Sequence, residues 1–154
     1  MSDERWLDKR EALAWRGMIG VLPRLTAVLE RQLVQDAGLS AAEYTLLVPL
    51  SEAPDGVLRA RDLGRTVSWE RSRISHQVIR MEKRGLVVRE ECGEDARGSM
   101  VRLTDTGRTA IVAAAPAHVA AVRRYFIGAL TDAELDVIGP ALARVLDRLP
   151  DDDG

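Results

Sequence analysis

Residues 68–90 read SWERSRISHQVIRMEKRGLVVRE, a segment whose hydrophobic period changes midway. With Ile74 set at 0° and about 100° per residue, Val78 falls at about 40° and Met81 at about −20°, one narrow apolar stripe. The stripe predicts a helix over residues 69–84, with Ser68 as N-cap and Glu70 complementing the helix N-terminus. Gly85 stops it, and Leu86-Val87-Val88-Arg89-Glu90 follows as a strand. The face opposite the stripe carries Ser72, Arg73, Ser75, His76, Ile79, Arg80 and Lys83. A merely solvated helix face usually alternates signs, whereas this one has no acid at its centre. Arginine can donate two parallel hydrogen bonds to guanine, Ser and His can serve bases or phosphates, and Ile79 can touch a thymine methyl. The face therefore suits a DNA major groove, although the same residues would also complete an ordinary soluble surface.

Outward from this helix the pattern stays regular. Downstream, residues 92–99 read as a hairpin loop and residues 100–103 as its return strand. The loop holds Glu94-Asp95-Ala96-Arg97-Gly98 and so carries one arginine at its tip, placed to enter a narrow minor groove. Upstream, residues 60–65 form a short helix, and residues 53–56 a turn. Ser40-Ala41-Ala42-Glu43 is a capping box that opens a helix over residues 41–51. A long first helix spans residues 7–36, with an apolar stripe at Trp15, Met18, Leu22, Leu25 and Leu29, a kink expected at Pro23 and a cap at Gly38. At the other end, residues 105–127 form a helix interrupted at Pro116. A second capping box, Thr131 to Glu134, opens a last helix to residue 149.

The expected fold class is mainly α with a small β-hairpin wing. A winged helix-turn-helix lobe occupies about residues 40–104 of a single domain, flanked by dimerisation helices at about 5–36 and 105–149. The order alone would also fit a plain α+β domain without a nucleic-acid role.

Charge distribution favours the first architecture. The 154-residue chain has a net charge of −2, yet residues 59–84 sum to +5 and the remainder to −7. A basic island in an acidic chain is the footprint of a local polyanion surface. The single cysteine, Cys92, excludes an internal disulfide framework and a multi-cysteine zinc site, and a reduced cytoplasmic setting is the default expectation. No run of about 20 apolar residues is evident, and the mixed-charge N-terminal residues do not resemble a signal peptide, so no membrane role is expected. There is no GxGxxG, P-loop, HExxH, CxxC or nucleophile elbow, and His76 and His118 lie in separate helices. Neither catalysis nor a metal or cofactor is expected.

Residues 39–107 also resemble the multiple-antibiotic-resistance regulator (MarR) family of bacterial transcription factors. The resemblance rests on Gly38-Leu39-Ser40 leading to Tyr44, Arg61-Asp62-Leu63, and Ser72-Arg73-Ile74-Ser75-His76. Met81-Glu82-Lys83-Arg84-Gly85-Leu86-Val87, Asp95-Ala96-Arg97 and Leu103-Thr104-Asp105-Thr106-Gly107 complete it. It implies a homodimer joined by helices from both chain ends, binding a palindromic duplex operator. It further implies a repressor released by a small, often aromatic or phenolic, ligand. The DNA-binding positions it carries over are Ser72, Arg73, Ser75, His76, Gln77, Arg80 and the wing residue Arg97. The family's loop often reads Asp-Arg-Arg, and Ala96 here leaves Arg97 as the only wing-tip base. For an effector the candidates are Trp15, Arg16, Tyr44 and His118, which offer apolar walls, a carboxylate partner and a hydrogen-bonding imidazole. The alternatives are a winged-helix regulator acting through redox at Cys92 or through a protein partner. Glu90, Glu91 and Glu94 near Cys92 disfavour a reactive thiolate.

Overall fold

Three helices start on reciprocal caps that are legible in the chain. In the computed structural model, which describes residues 6–91 and 98–150, Asp8 and Glu11 cap α1 (Lys9–Ala37), Ser40 and Glu43 cap α2 (Ala41–Glu52), and Thr131 and Glu134 cap α6 (Asp132–Leu146). Each pair satisfies two backbone N–H groups that the helix geometry orphans. Gly38 closes α1 in the left-handed conformation, as expected. Between these helices lie β1 (Val57–Arg59), α3 (Ala60–Val67), α4 (Arg71–Lys83), β2 (Val87–Glu91), β3 (Ser99–Leu103) and α5 (Asp105–Tyr125).

The expected two-stranded wing is a three-stranded antiparallel sheet in the order β1-β3-β2. Val57 pairs with Arg102 and Arg59 with Met100, so β1 occupies the second edge of β3. Three residues after a Pro54–Gly56 turn are too short to show a period of two, and only the free edge of β3 makes them a strand. Two other expectations change. Ser68 is the left-handed C-cap of α3 (φ 56°), not the N-cap of α4, because α3 runs on to Val67 and α4 begins only at Arg71 behind Glu70. Pro116 does not interrupt α5. Its missing N–H cannot donate to the Val112 carbonyl one turn earlier, and Val112 lies on an exposed side of the helix, where the loss of one bond is cheap.

The core gathers the buried side of α2 (Leu46, Leu47, Leu50), Leu63 of α3, and Ile74, Val78 and Met81 of α4 against the hairpin and Ile111 of α5. This is the apolar stripe predicted for residues 69–84. Two polar joints fix α4 to its surroundings. The Arg84 guanidinium, at the C-terminal end of α4, donates to the Glu43 carboxylate at 2.5 Å and to the Gly38 carbonyl at 3.1 Å. One side chain thus ties α4 to the ends of both α1 and α2. The Glu43 carboxylate also accepts from the Ser40 amide and is itself buried.

The second joint explains the Leu-Thr-Asp-Thr-Gly run. The Thr104 hydroxyl lies 2.6 Å from the Gly85 carbonyl and 3.0 Å from that of Leu86, and accepts from the Gly107 amide at 3.0 Å. The first turn of α5 therefore presses onto the turn after α4. A Cβ at Gly107 would sit 2.1 Å from the Leu86 carbonyl oxygen, so only glycine fits.

α1 and α5 each contain an 18-residue window long and apolar enough, by length and composition, to cross a membrane, which corrects the expectation that no such stretch exists. Alanine, valine and leucine in amphipathic stripes raise the average without making the helices apolar all round. The α1 window has no residue buried within the chain, and α6 makes only sparse contact with the other elements.

Candidate nucleic-acid interface

α3 and α4 meet at a tight corner. The Trp69 amide donates to the Gly64 carbonyl at 2.9 Å, and a Cβ on Gly64 would lie 3.0 Å from the Trp69 carbonyl oxygen. This close approach sets α4 across the lobe with one side on the core. Ser72, Arg73, Ser75, His76, Arg80 and Lys83 are exposed, and Ile79 is half-buried. The predicted outward face is therefore assembled almost as the helical angles imply.

Gln77, a position that only the resemblance carried over, is not part of that face. It is only 5% exposed, and its carbonyl oxygen accepts from Arg80 at 3.1 Å. At about −60° on the helix wheel it lies beside the buried stripe, which the angles already indicated. In this conformation Gln77 braces Arg80 and does not reach outward. Trp69 is not among the expected site residues, yet it touches one of them. The Arg73 guanidinium sits over its ring, 3.8 Å from the centroid. An aromatic residue four positions before an arginine was the available signal.

Ion pairing sorts the basic island. Arg84 is engaged by Glu43. Glu82 is turned away from the outward face by Arg89, whose backbone amide and then guanidinium hold its carboxyl below the usual carboxylate range. On the sheet, Arg102 pairs with Glu90 at 2.6 Å, which lowers the Glu90 pKa. Among the described residues, no ion pair takes up Arg61, Arg65, Arg71, Arg73, Arg80 or Lys83. Six bases on two adjacent helices remain available to a polyanion.

Residues 37–98 of the chain match the sequence profile of the MarR family. Sco3205 of Streptomyces coelicolor, a MarR family transcriptional regulator crystallised in complex with DNA, is 39% identical with a TM-score of 0.90, over 97% of this chain and 94% of that one. The chain belongs to the MarR family of transcriptional regulators. AbsC, a second MarR regulator of Streptomyces coelicolor, is 40% identical with a TM-score of 0.87, over 93% of this chain and 96% of that one. PcaV from the same organism, crystallised with its natural ligand, is 25% identical with a TM-score of 0.71, over 83% and 90%. Comparison with curated protein sequences returned no match.

Within this MarR chain the expected effector residues do not form one group. Tyr44 and His118 meet with ring centroids 4.3 Å apart, and His118 Nδ1 lies 3.1 Å from the Gln32 carbonyl oxygen. Burial lowers the His118 pKa and raises that of Tyr44, so both are neutral at pH 7. Trp15 is 57% exposed and Arg16 is exposed, 17 and 16 residues before Gln32 on the same helix. α1 continues through Pro23 as one helix, and at 1.5 Å per residue that separation is about 25 Å along it, too far for one small-molecule site. One shallow open groove, lined by Leu7, Asp8, Ala12, Leu13 and Arg16, lies beside Arg16 at the start of α1, away from Tyr44 and His118. Arg97, Cys92 and the remainder of the loop over residues 92–97 lie outside the described residues.

Proposed function

We propose that this MarR regulator is a homodimeric, sequence-specific repressor, cytoplasmic, whose two α4 helices enter successive major grooves of a palindromic operator. The observation that carries this reading is the exposed, acid-free face of α4 with Arg73 and Arg80 free of ion pairs. Ser72, Ser75 and His76 add hydrogen-bonding groups beside them. Arg97 serves as the wing's minor-groove contact. The DNA complex of the similar Sco3205 supports the assignment. Arg73→Ala should cost about 1–3 kcal/mol of operator binding and relax base preference at one position of each half-site. Titration of wild type and variant against single-base operator variants checks it. Unchanged affinity and unchanged preference would remove Arg73 from the reading face.

The homodimer follows from what each protomer leaves bare. Leu13, Trp15, Ile19 and Leu22 on α1 and Val137, Val145 and Leu146 on α6 are all at least half exposed. Two helices with uncovered apolar stripes at opposite chain ends can bury them against their own copies in a two-fold interface. Light scattering should give twice the chain mass at micromolar concentration, and a monomer mass would contradict the arrangement.

Release by a small aromatic or phenolic ligand is the regulatory part of the proposal. It is supported by the neutral Tyr44–His118 pair at the junction of α1, α2 and α5, and by the ligand complex of the similar PcaV. Trp15 and Arg16 belong with the dimer helices in this account and not with that junction.

A further inference from the structure

The corner between α3 and α4 carries more than a change of direction. Trp69 is anchored there by the hydrogen bond from its backbone amide to the Gly64 carbonyl, and its ring is part-buried against the core. Arg73 is exposed, forms no ion pair among the described residues, and holds its guanidinium over that ring. An arginine held by the face of an indole keeps its N–H donors for other partners.

We propose that Trp69 is a positioning residue for sequence readout: it holds the Arg73 guanidinium in place before DNA arrives. This rests on α4 being the reading helix. A free arginine surrenders its rotamer freedom when it docks on a base, and one already seated surrenders less. The benefit is selective. Phosphate contacts tolerate a wandering charge, whereas a bidentate contact to a base edge requires a fixed plane. The support is rigid, since the Trp69 backbone is pinned by the close approach at Gly64. Trp69 therefore acts on discrimination between sequences more than on overall attraction to DNA.

The test uses a duplex enriched by the full-length protein from a randomised pool, and a scrambled duplex of equal length. Wild type, Trp69→Leu, Trp69→Phe, Arg73→Ala and the Trp69→Leu/Arg73→Ala double variant are titrated on both after thermal melting confirms folding. Trp69→Leu should weaken the enriched duplex by about 3–10-fold, the scale of one immobilised side chain, and leave the scrambled one within about twofold. Trp69→Phe should restore most of the loss, because a ring face returns. The double variant should bind no worse than Arg73→Ala alone. In free wild-type protein the Arg73 Nε–H NMR resonance should be shifted upfield by the indole ring current, and should lose that shift in Trp69→Leu. Equal losses on both duplexes, additive losses in the double variant, or no ring-current shift in wild type would overturn the proposal. If Arg73→Ala weakens the enriched duplex while Trp69→Leu does not, only the positioning role fails. If Arg73→Ala changes nothing, the reading-helix assignment fails with it.

Discussion

Gly107→Ala is expected to destabilise the DNA-binding lobe by about 3 kcal/mol or more, the upper range for forcing a methyl group into a packed site. The added Cβ would lie 2.1 Å from the Leu86 carbonyl oxygen and 2.7 Å from a Leu103 methyl. The first contact is backbone, so no side-chain rotation relieves it. Either α5 lifts from the turn after α4 and loses the Thr104 bonds, or that turn shifts and carries the end of α4 with it. For a chain of this length the melting temperature should fall by roughly 6–12 °C. Thr106→Ala, an exposed change in the same helical turn, is the control and should melt within a few degrees of wild type. Equal melting of all three proteins would mean that α5 does not pack on Leu86 as described.

The largest effect is expected from salt. The chain presents six bases on α3 and α4 without an ion pair among the described residues, so the proposed dimer would present twice that number. If six to ten of them meet phosphates, raising salt from 50 to 200 mM should lower affinity by about 10³–10⁵-fold through counterion release. Removing one phosphate contact per protomer should flatten the log–log slope by about 2 per dimer. A change of tenfold or less would mean that this surface meets few phosphates, and would leave the positive charge without a role. Affinity measured across five salt concentrations on one duplex gives the slope.

Local signals carried most of the architecture. The capping boxes at Ser40–Glu43 and Thr131–Glu134 marked helix starts because each depends on residues three apart. The α4 stripe was readable because a buried helix face obeys a fixed angle, and the same angle argues against Gln77 as an outward residue. What escaped depends on distant partners. β1 is a strand only because β3 offers an edge, and Ser68 is a cap of α3 because that helix extends two residues further than its own sequence signals. The Glu43–Arg84 pair joins residues 41 positions apart, so no local pattern announces it. It also removes Arg84 from a basic island that the linear charge sum counted in full. The proposed effector group divides for a simpler reason: Trp15 and Tyr44 are both aromatic, but a continuous 29-residue helix keeps the start of α1 far from the junction where Tyr44 meets His118.

Selection of duplexes from a randomised pool by the purified protein, followed by sequencing, tests the central claim most directly. Two copies of α4 related by a two-fold axis should enrich an inverted repeat whose half-site centres lie about one helical turn, ~10 bp, apart. Enrichment of a single unpaired half-site, or of no sequence at all, would contradict it.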